Sequence, residues 1–331
     1  MILLLAETSI PLNSICIIDP HFDGGDLFRK WSSVISNTPW SVTITNLQTH
    51  LPSVKIPKWA LALPLDKSTP VSTIAKLIRE CAEPLLKQVK CIYGSAVSAN
   101  WSSKTSKWTV IVQKEQSTNS IEACGVCLTY GSEPKELDIS IPSIPLDIAL
   151  DCNRLSKYIE PHNKVIVFGT RHSGVHVLKN LVDCSANSII GLYKGVKPFM
   201  WARDGEYDGI KMDAALIADE IVAGKYPSVQ LLSTSNLSAI LREVRSADWV
   251  VYAIGFEPRN LLQITNDEVL LSKIEYDTSG KILKCSSMWG FGIAYPSQAP
   301  DGIHWDVGVS SFLEHIHGQT SSILSIIYPI Q

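Results

Sequence analysis

The stretch from Lys164 to Gly195 constrains this chain more than any other part of it. "KVIVF" is a short β-branched run suited to a buried parallel strand. "GTRHSG" follows, and "VHVLKNLVD" then places Val175, Leu178 and Val182 on one helical face. "SIIGLY" is the next strand. The whole reads as a βαβ unit with a glycine turn at its first strand–helix junction. Gly169 and Gly174 fit the first and third glycines of the G-x-G-x-x-G turn, whose helix N-terminus holds a pyrophosphate. Arg171 stands at the middle position, where glycine normally lets the backbone approach the phosphates. An arginine there either obstructs a dinucleotide or folds outward and pairs with a phosphate. Ser173 is placed to cap the helix or donate to phosphate. His172 reads first as a polar residue of the helix N-terminus and second as a cofactor contact. No acid ends the second strand to hold a free 2′-hydroxyl. Lys194 follows it instead, which points to the 2′-phosphate of NADP, against the plainer reading of a solvated lysine.

A second, incomplete copy of this pattern opens the chain. "MILLLAETSIP" reads as the helix of such a unit and "NSICIIDP" as its second strand, ending in Asp19. The apolar run is too short for a membrane span and lacks the basic flank and cleavage site of a secretory signal. An acid that holds a ribose lies about 20 residues beyond its glycine turn. Counting back from Asp19 reaches or passes Met1, so the expectation is a unit whose first strand and glycine turn precede this chain.

Between the two units the sequence alternates. "DPHFDGGDLFRKWSSVISNTPWS" leads into a Pro-rich, irregular-looking stretch and then a helix, "STIAKLIRECAEPLLKQV". "CIYGSAVSA", "KWTVIVQ" and "SIEACGVCLTYGSEP" follow as strands, separated by polar turns. This is a β-meander just ahead of the second unit, and "ELDISIPSIPLDIALD" reads as a domain crossover. The expected architecture is α/β: two Rossmann-like, three-layer FAD- and NAD(P)-binding-type domains with a β-meander, the second inserted in the first. Residues 1–150 and 260–331 would form the discontinuous FAD-type domain and 151–259 the NAD(P)-type domain.

These residues resemble the flavin-dependent oxidoreductases with two dinucleotide-binding domains, the group of flavin-containing monooxygenases and pyridine-nucleotide-disulfide reductases. The resemblance implies a role for each motif. Asp19 would hold the adenosine ribose of FAD. "GGDLFRKW" is similar to the loop near the flavin, with Gly24, Gly25 and Trp31 as cofactor contacts. "SNTPWS" resembles a loop that brings an asparagine, here Asn37, to the isoalloxazine as the catalytic position. "LTYGSEP" and "VYAIGFEPR" both resemble the strand-turn motif that lines each nucleotide domain. "GIHWDVG" resembles the closing motif, with Asp306 at the ribitol or pyrophosphate and a helix starting near Val309 facing the flavin pyrimidine edge. The resemblance implies FAD and NADP, or NAD, as cofactors. It implies hydride transfer from nicotinamide to flavin, with a monooxygenase among the expected activities. Two departures, the unseen first fingerprint and Arg171, support an alternative: a degenerate relative with weak or no FAD binding that acts as a binding or regulatory protein.

Composition narrows the partners. A net charge of −3 supplies no basic field for nucleic acid or an anionic membrane, so the expected partner is a small molecule. Eight scattered cysteines fit reduced thiols and a cytoplasmic location. Within "CGVC", Cys124 and Cys127 have redox spacing but sit on an apparent strand, so they read as small hydrophobes. His315 and His317, two apart, do not share a helical face, and no metal site is expected. Arg203, Asp204 and Asp208 lie on a segment read as a solvated loop or a pocket edge. The substrate and the oligomeric state are not written in these motifs.

Overall fold

The computed structural model describes residues 10–195, 197–199, 202–203, 206–207, 213–259, 262–299 and 305–327. The helix read at the start of the chain falls almost wholly on residues 1–9, outside the described ones, as do Asp204 and Asp208.

Strand β1 (Cys16–Asp19) leads to the short helix α1 (Asp26–Arg29) and then to α2 (Trp40–His50) and α3 (Val71–Leu86). Helix α2 corrects the sequence reading, which left this stretch irregular. Its Val, Thr and Ile residues are weak helix formers. Trp40, Ile44 and Leu47 nevertheless recur at helical spacing and are buried, and the Trp40 indole Nε1 donates to the Ala60 carbonyl at 2.7 Å. Packing outweighs propensity here, since burying one such side chain stabilises by about 1.5–3 kcal/mol.

Strand β2 (Lys90–Tyr93) pairs in parallel with β1. The run "CIYGSAVSA", read as one strand, is two. It breaks at Gly94, φ +155°, where a Cβ would lie 2.7 Å from the Gln113 carbonyl oxygen. Strands β3 (Ser95–Ser102), β4 (Lys107–Lys114) and β5 (Ser117–Ala123) form the antiparallel meander. Trp108, Val110 and Val112 alternate into its core. "SIEACGVCLTYGSEP" likewise separates into the end of β5, then β6 (Val126–Leu128) and β7 (Ser132–Pro134).

The chain next passes through α4 (Cys152–Leu155) into β8 (Lys164–Phe168), α5 (His172–Asp183) and β9 (Ser188–Tyr193). A small antiparallel ribbon, β10 (Ala202–Arg203) with β11 (Glu206–Tyr207), precedes α6 (Asp213–Val222), β12 (Val229–Ser233), α7 (Leu237–Val244) and β13 (Trp249–Tyr252). Strands β8, β9, β12 and β13 form one parallel sheet in the order β12-β9-β8-β13. That is the 3-2-1-4 order of a dinucleotide-binding half, in which the sequence reverses direction between β8 and β13. The segment read as a crossover joins this sheet. Ile144 N–H donates to Val250 O at 2.8 Å and Val250 N–H to Pro142 O at 3.0 Å. Val165, Val167, Val175, Leu178, Leu181, Ile189 and Val251 make the core beneath it.

Beyond this sheet the chain returns to strands it left earlier. Strand β14 (Phe256–Pro258) pairs antiparallel with β7. Strand β15 (Gln263–Asn266) adds in parallel to β3 and carries β16 (Val269–Leu270) on its other side. Strand β17 (Met288–Gly290) pairs in parallel with β6. Strands β18 (Ser297–Gln298) and β19 (Trp305–Asp306) pair antiparallel, and α8 (Val309–Ile327) closes the described chain. Ile316 and Ile323 of α8 share a core with Trp40, Ile44 and Leu47 of α2. No helix among the described residues is long and apolar enough to cross a membrane.

Two glycines give opposite expectations. A Cβ on Gly174 would lie 2.1 Å from the Gly169 carbonyl oxygen, so Gly174→Ala must push a helix off a strand. It should cost roughly 2–4 kcal/mol in denaturant unfolding. Gly318 lies exposed inside α8 with nothing within 4 Å of a built Cβ, so Gly318→Ala should stabilise by up to about 1 kcal/mol in the same measurement.

Candidate functional site

The glycine turn between β8 and α5 is built by steric exclusion. Gly169 has φ +92°, and a Cβ there would meet Ala253 O at 2.4 Å. Gly174 permits the first turn of α5 to rest on the Gly169 carbonyl. The middle position makes no such demand. Arg171 has φ −74° and ψ −170°, is the N-cap residue of α5 and is exposed. Its backbone accommodates a side chain, and that side chain lies at the surface of the turn. Intrahelical bonding in α5 begins with Val175 N–H donating to Arg171 O at 2.9 Å, so the earlier N–H groups face out of the helix end. Among the described residues the N-cap residue Arg171 makes no side-chain capping bond to them, and Ser173 is half-buried. Thr170, which the sequence reading passed over, is 3% exposed and donates its hydroxyl to Pro198 O at 2.7 Å. It ties the turn to the segment beyond β9.

Lys194 is exposed at the C-terminal end of β9, next to Gly195 with φ +106°. On the neighbouring strand, the Ser233 hydroxyl donates to Gly195 O at 3.3 Å and lies 2.8 Å from the Ser235 hydroxyl. The lysine and two serines thus stand together at the sheet's C-terminal edge, the side on which open α/β sheets bind ligands.

His172 and His176 fill the junction between the turn and the first part of the chain. Their rings lie 4.8 Å apart, centroid to centroid. Burial, with His176 beside it, pushes the His172 imidazole down to about 4, while its contact with the Ile35 backbone opposes the shift. Burial lowers His176 as well. The same loop supplies Trp31, whose ring stands edge-on to Phe256 of β14 at 5.6 Å.

The flavin-type motifs converge on one ion pair that sequence reasoning missed. Asp26, from "GGDLFRKW", accepts from Arg259 Nη2, from "VYAIGFEPR". Arg259 Nη1 donates to the carbonyl of Tyr130, from "LTYGSEP", at 3.3 Å. Both charged side chains are only 19% exposed. The preceding glycines are set for this turn: Gly24 has φ +102° and Gly25 φ +68°, and Gly25 N–H donates to Asp23 Oδ1 at 3.0 Å. The Tyr130 hydroxyl shares a short hydrogen bond with that of Tyr295. The only available signal was the recurrence of opposite charges in two motifs far apart in sequence.

The remaining sites are dispersed. Asp19 ends β1 half-buried, and its Oδ1 accepts from the backbone N–H groups of His21 and Phe22, each at 2.7 Å. Among the described residues, its Oδ2 makes no hydrogen bond. Asn37 is exposed on the bend before α2. Asp306 is half-buried on β19, three residues before Val309 opens α8; the side chain of Val309 lies outside the described ones. Among the described residues no hydrogen bond joins Asn37 or Asp306 to the other candidates. Cys124 is exposed in the break between β5 and β6, and burial pushes the Cys127 thiol up to about 12. His315 stands edge-on to Phe291, whereas the His317 ring lies 4.8 Å from that of His50, tilted by 52°.

No protein-family model matches the chain. Over 93% of its length it is 25% identical to Monooxygenase AgnR1 of Paecilomyces divaricatus, covering 90% of that protein. Among solved structures it resembles the lysine monooxygenase NbtG of Nocardia farcinica, with TM-score 0.60 and 14% identity over 96% of this chain and 93% of that one. It also resembles a flavin-containing monooxygenase from Stenotrophomonas maltophilia, with TM-score 0.59 and 11% identity over 94% and 98%. The ornithine N-hydroxylase of Kutzneria sp. 744, described as KtzI-FADred-NADP+-L-orn, gives TM-score 0.58 and 12% identity over 99% and 95%.

Two measurements address this junction. Breaking the Asp26–Arg259 pair by Asp26→Asn or Arg259→Leu should each destabilise by roughly 1–3 kcal/mol. The double variant should cost clearly less than the sum, as read by a double-mutant cycle in urea. His172 gives a pH signature. With its folded value near 4 and an ordinary value of 6.5, the unfolded chain binds the extra proton between those limits. Its contribution is therefore complete above pH 6.5 and is lost on acidification toward pH 4. The loss should reach roughly 3 kcal/mol, and His172→Gln should flatten that part of the stability–pH curve. The chain has the fold of these flavoprotein monooxygenases, with a dinucleotide-type sheet set between strands that pair with one another across it.

Proposed function

We propose that this protein is an FAD- and NADPH-dependent oxidoreductase acting on a small molecule, and that its activity is a monooxygenation. The observation that carries the reading is the β8–α5 turn. Two glycines are required there by contacts of 2.4 and 2.1 Å, and an uncapped helix end lies directly above them at the switch point of a 3-2-1-4 sheet. That geometry fits a pyrophosphate. The near full-length similarity to a monooxygenase supports the same reading over the alternative of a degenerate binding or regulatory protein.

The chain's own residues divide the work. The α5 N-terminus would hold the NADPH pyrophosphate, with Arg171 at the surface as a phosphate partner and Ser173 as a donor beside it. Lys194 would take the 2′-phosphate, which distinguishes NADPH from NADH. Asp19 would offer Oδ2 to the FAD ribose, since Oδ1 is engaged by His21 and Phe22. Gly24, Gly25 and Trp31 would border the flavin, and Asn37 would approach its ring system. Asp306 and the α8 end at Val309 would stabilise negative charge on it. When bound in this way, NADPH would supply a hydride and FAD would be its acceptor. The protein's part is to bind, orient and exclude water.

No nucleic-acid or membrane partner enters this proposal, and the chain's place is the cytoplasm. All eight cysteines being free thiols supports that location.

Purified protein supplied with FAD should turn yellow, lose that colour when NADPH is added without oxygen, and regain it when air is admitted. A chain that neither takes up FAD nor oxidises NADPH would overturn the reading. Lys194→Ala should weaken NADPH binding about tenfold, a loss of about 1.4 kcal/mol, while leaving NADH within about twofold. Titration of both nucleotides against Arg171→Gly should show an altered affinity for each.

A further inference from the structure

The two sulfurs that approach most closely are not those of the "CGVC" motif. Cys152 Sγ and Cys184 Sγ lie 3.5 Å apart although 32 residues separate them in sequence. Cys152 opens α4 directly after Asp151, whose carboxylate accepts from Asn153 N–H at 3.1 Å and Arg154 N–H at 3.2 Å. Cys184 is the C-cap of α5, with its N–H bonded to the carbonyls of Asn180 and Val182. Each thiol is thus fixed by a helix end. A third tie joins α5 to the turn just before α4, the Asn180 Nδ2 donating to Ala149 O at 3.0 Å. Both residues are half-buried, neither sealed in the core. A disulfide needs about 2.05 Å between sulfurs, so closure asks for a shift of roughly 1.5 Å, within the reach of χ1 adjustment. None of the other thiols has this arrangement among the described residues: Cys124 is exposed in the break between strands while Cys127 lies within β6, and Cys16 and Cys91 sit on paired strands one register step apart.

We infer that Cys152 and Cys184 form a redox-active dithiol, oxidised by hydrogen peroxide to an intramolecular disulfide that clamps α4 to the C-terminal end of α5. The order of events follows from the surroundings. Cys184 donates its S–H toward the Cys152 carbonyl at 3.6 Å, and burial holds it protonated. Cys152 therefore attacks first. The Cys152 sulfur bonds to one peroxide oxygen as its proton passes to the other, the O–O bond breaks, and that other oxygen leaves as water. Cys152 is then a sulfenic acid. Cys184 sulfur attacks the Cys152 sulfur, the S–O bond breaks, and the hydroxide leaves as a second water with the Cys184 proton. Two thiols and one peroxide become one disulfide and two waters. A dithiol reductant returns two electrons and two protons and reopens the pair. The cross-link lies at the far end of the helix whose N-terminus forms the glycine turn. It would tighten the nucleotide sheet without touching that turn.

The test uses the full chain and hydrogen peroxide. Free thiols counted after denaturation should fall from eight to six, and a non-reducing peptide map should recover a single linked pair, Cys152 with Cys184. The oxidised protein should melt higher than the reduced one, and dithiothreitol should abolish the difference. Cys152→Ser and Cys184→Ser should each remove the linked peptide and the melting shift, whereas Cys124→Ser should leave both. The inference is overturned by eight remaining thiols, by a Cys124–Cys127 link, by a link whose yield rises with protein concentration, or by Cys152 carried to the sulfinic acid with no link. The unsubstituted protein alone decides between these outcomes if a serine variant fails to fold. None of these readouts needs FAD or NADPH, so their failure is separate from failure of the oxidoreductase reading.

Discussion

The architecture depends on a backbone contact that tolerates no side chain. Gly174 sets the first turn of α5 on the Gly169 carbonyl, and Gly169 in turn sits against the Ala253 carbonyl at the end of β13. These contacts draw β8, α5 and β13 to one point. The switch in strand direction, the uncapped helix end and the C-terminal edge of the sheet therefore coincide there. Once that point is fixed, the apolar face of α5 must lie on β8 and β9, and Val175, Val177, Leu178 and Leu181 become fully buried. Binding capacity and folding stability arise from the same close approach.

A second constraint is how the chain leaves this sheet and comes back. It does so through β7 and β14, which pair with each other, so both crossings run side by side. Trp31 packs on one of these strands, and Arg259, just past the other end of β14, reaches Asp26 and the Tyr130 carbonyl. A partly buried guanidinium must be paired, or its desolvation costs more than its contacts return. Pairing it with Asp26 orients the glycine turn at Gly24 and Gly25 toward the crossing. The His172–His176 pair closes the same junction from the nucleotide side and demands that its rings be neutral. Polar groups and the Trp31–Phe256 contact thus meet at this junction, while cores of aliphatic and aromatic side chains stabilise the parts on either side.

How much of this was legible depends on the distance between the groups involved. The βαβ unit at residues 164–195 was readable because its signals are local: β-branched runs, glycines at fixed spacing and a 3.6-residue period. The acid at the end of β1, the meander and the final helix were readable for the same reason. Helix α2 was not, because Pro39, Val42, Thr43 and Ile44 argue against a helix locally, and only burial of Trp40 and Leu47 beside α8 reverses the balance. The run through Gly94 was read as a single strand because nothing local says that its halves join different sheets; the Gln113 carbonyl that excludes a side chain there belongs to β4.

By itself the sequence determined the βαβ elements at residues 164–195, the meander, the closing helix and the residue types that a dinucleotide turn needs, because backbone sterics and hydrophobic period act within a few residues. It determined that Gly169 and Gly174 would carry the turn, but not that Arg171 would be the exposed N-cap residue of α5 with extended backbone angles, since those are imposed by the fold. The tertiary structure alone decided which strands meet, that Asp26 finds Arg259 across more than two hundred residues, and that the close thiol pair is Cys152 with Cys184, not the adjacent CxxC. Each of those contacts is made between chain segments whose separation in sequence carries no information about their separation in space. Chain closure over such distances is set by the packing of whole elements.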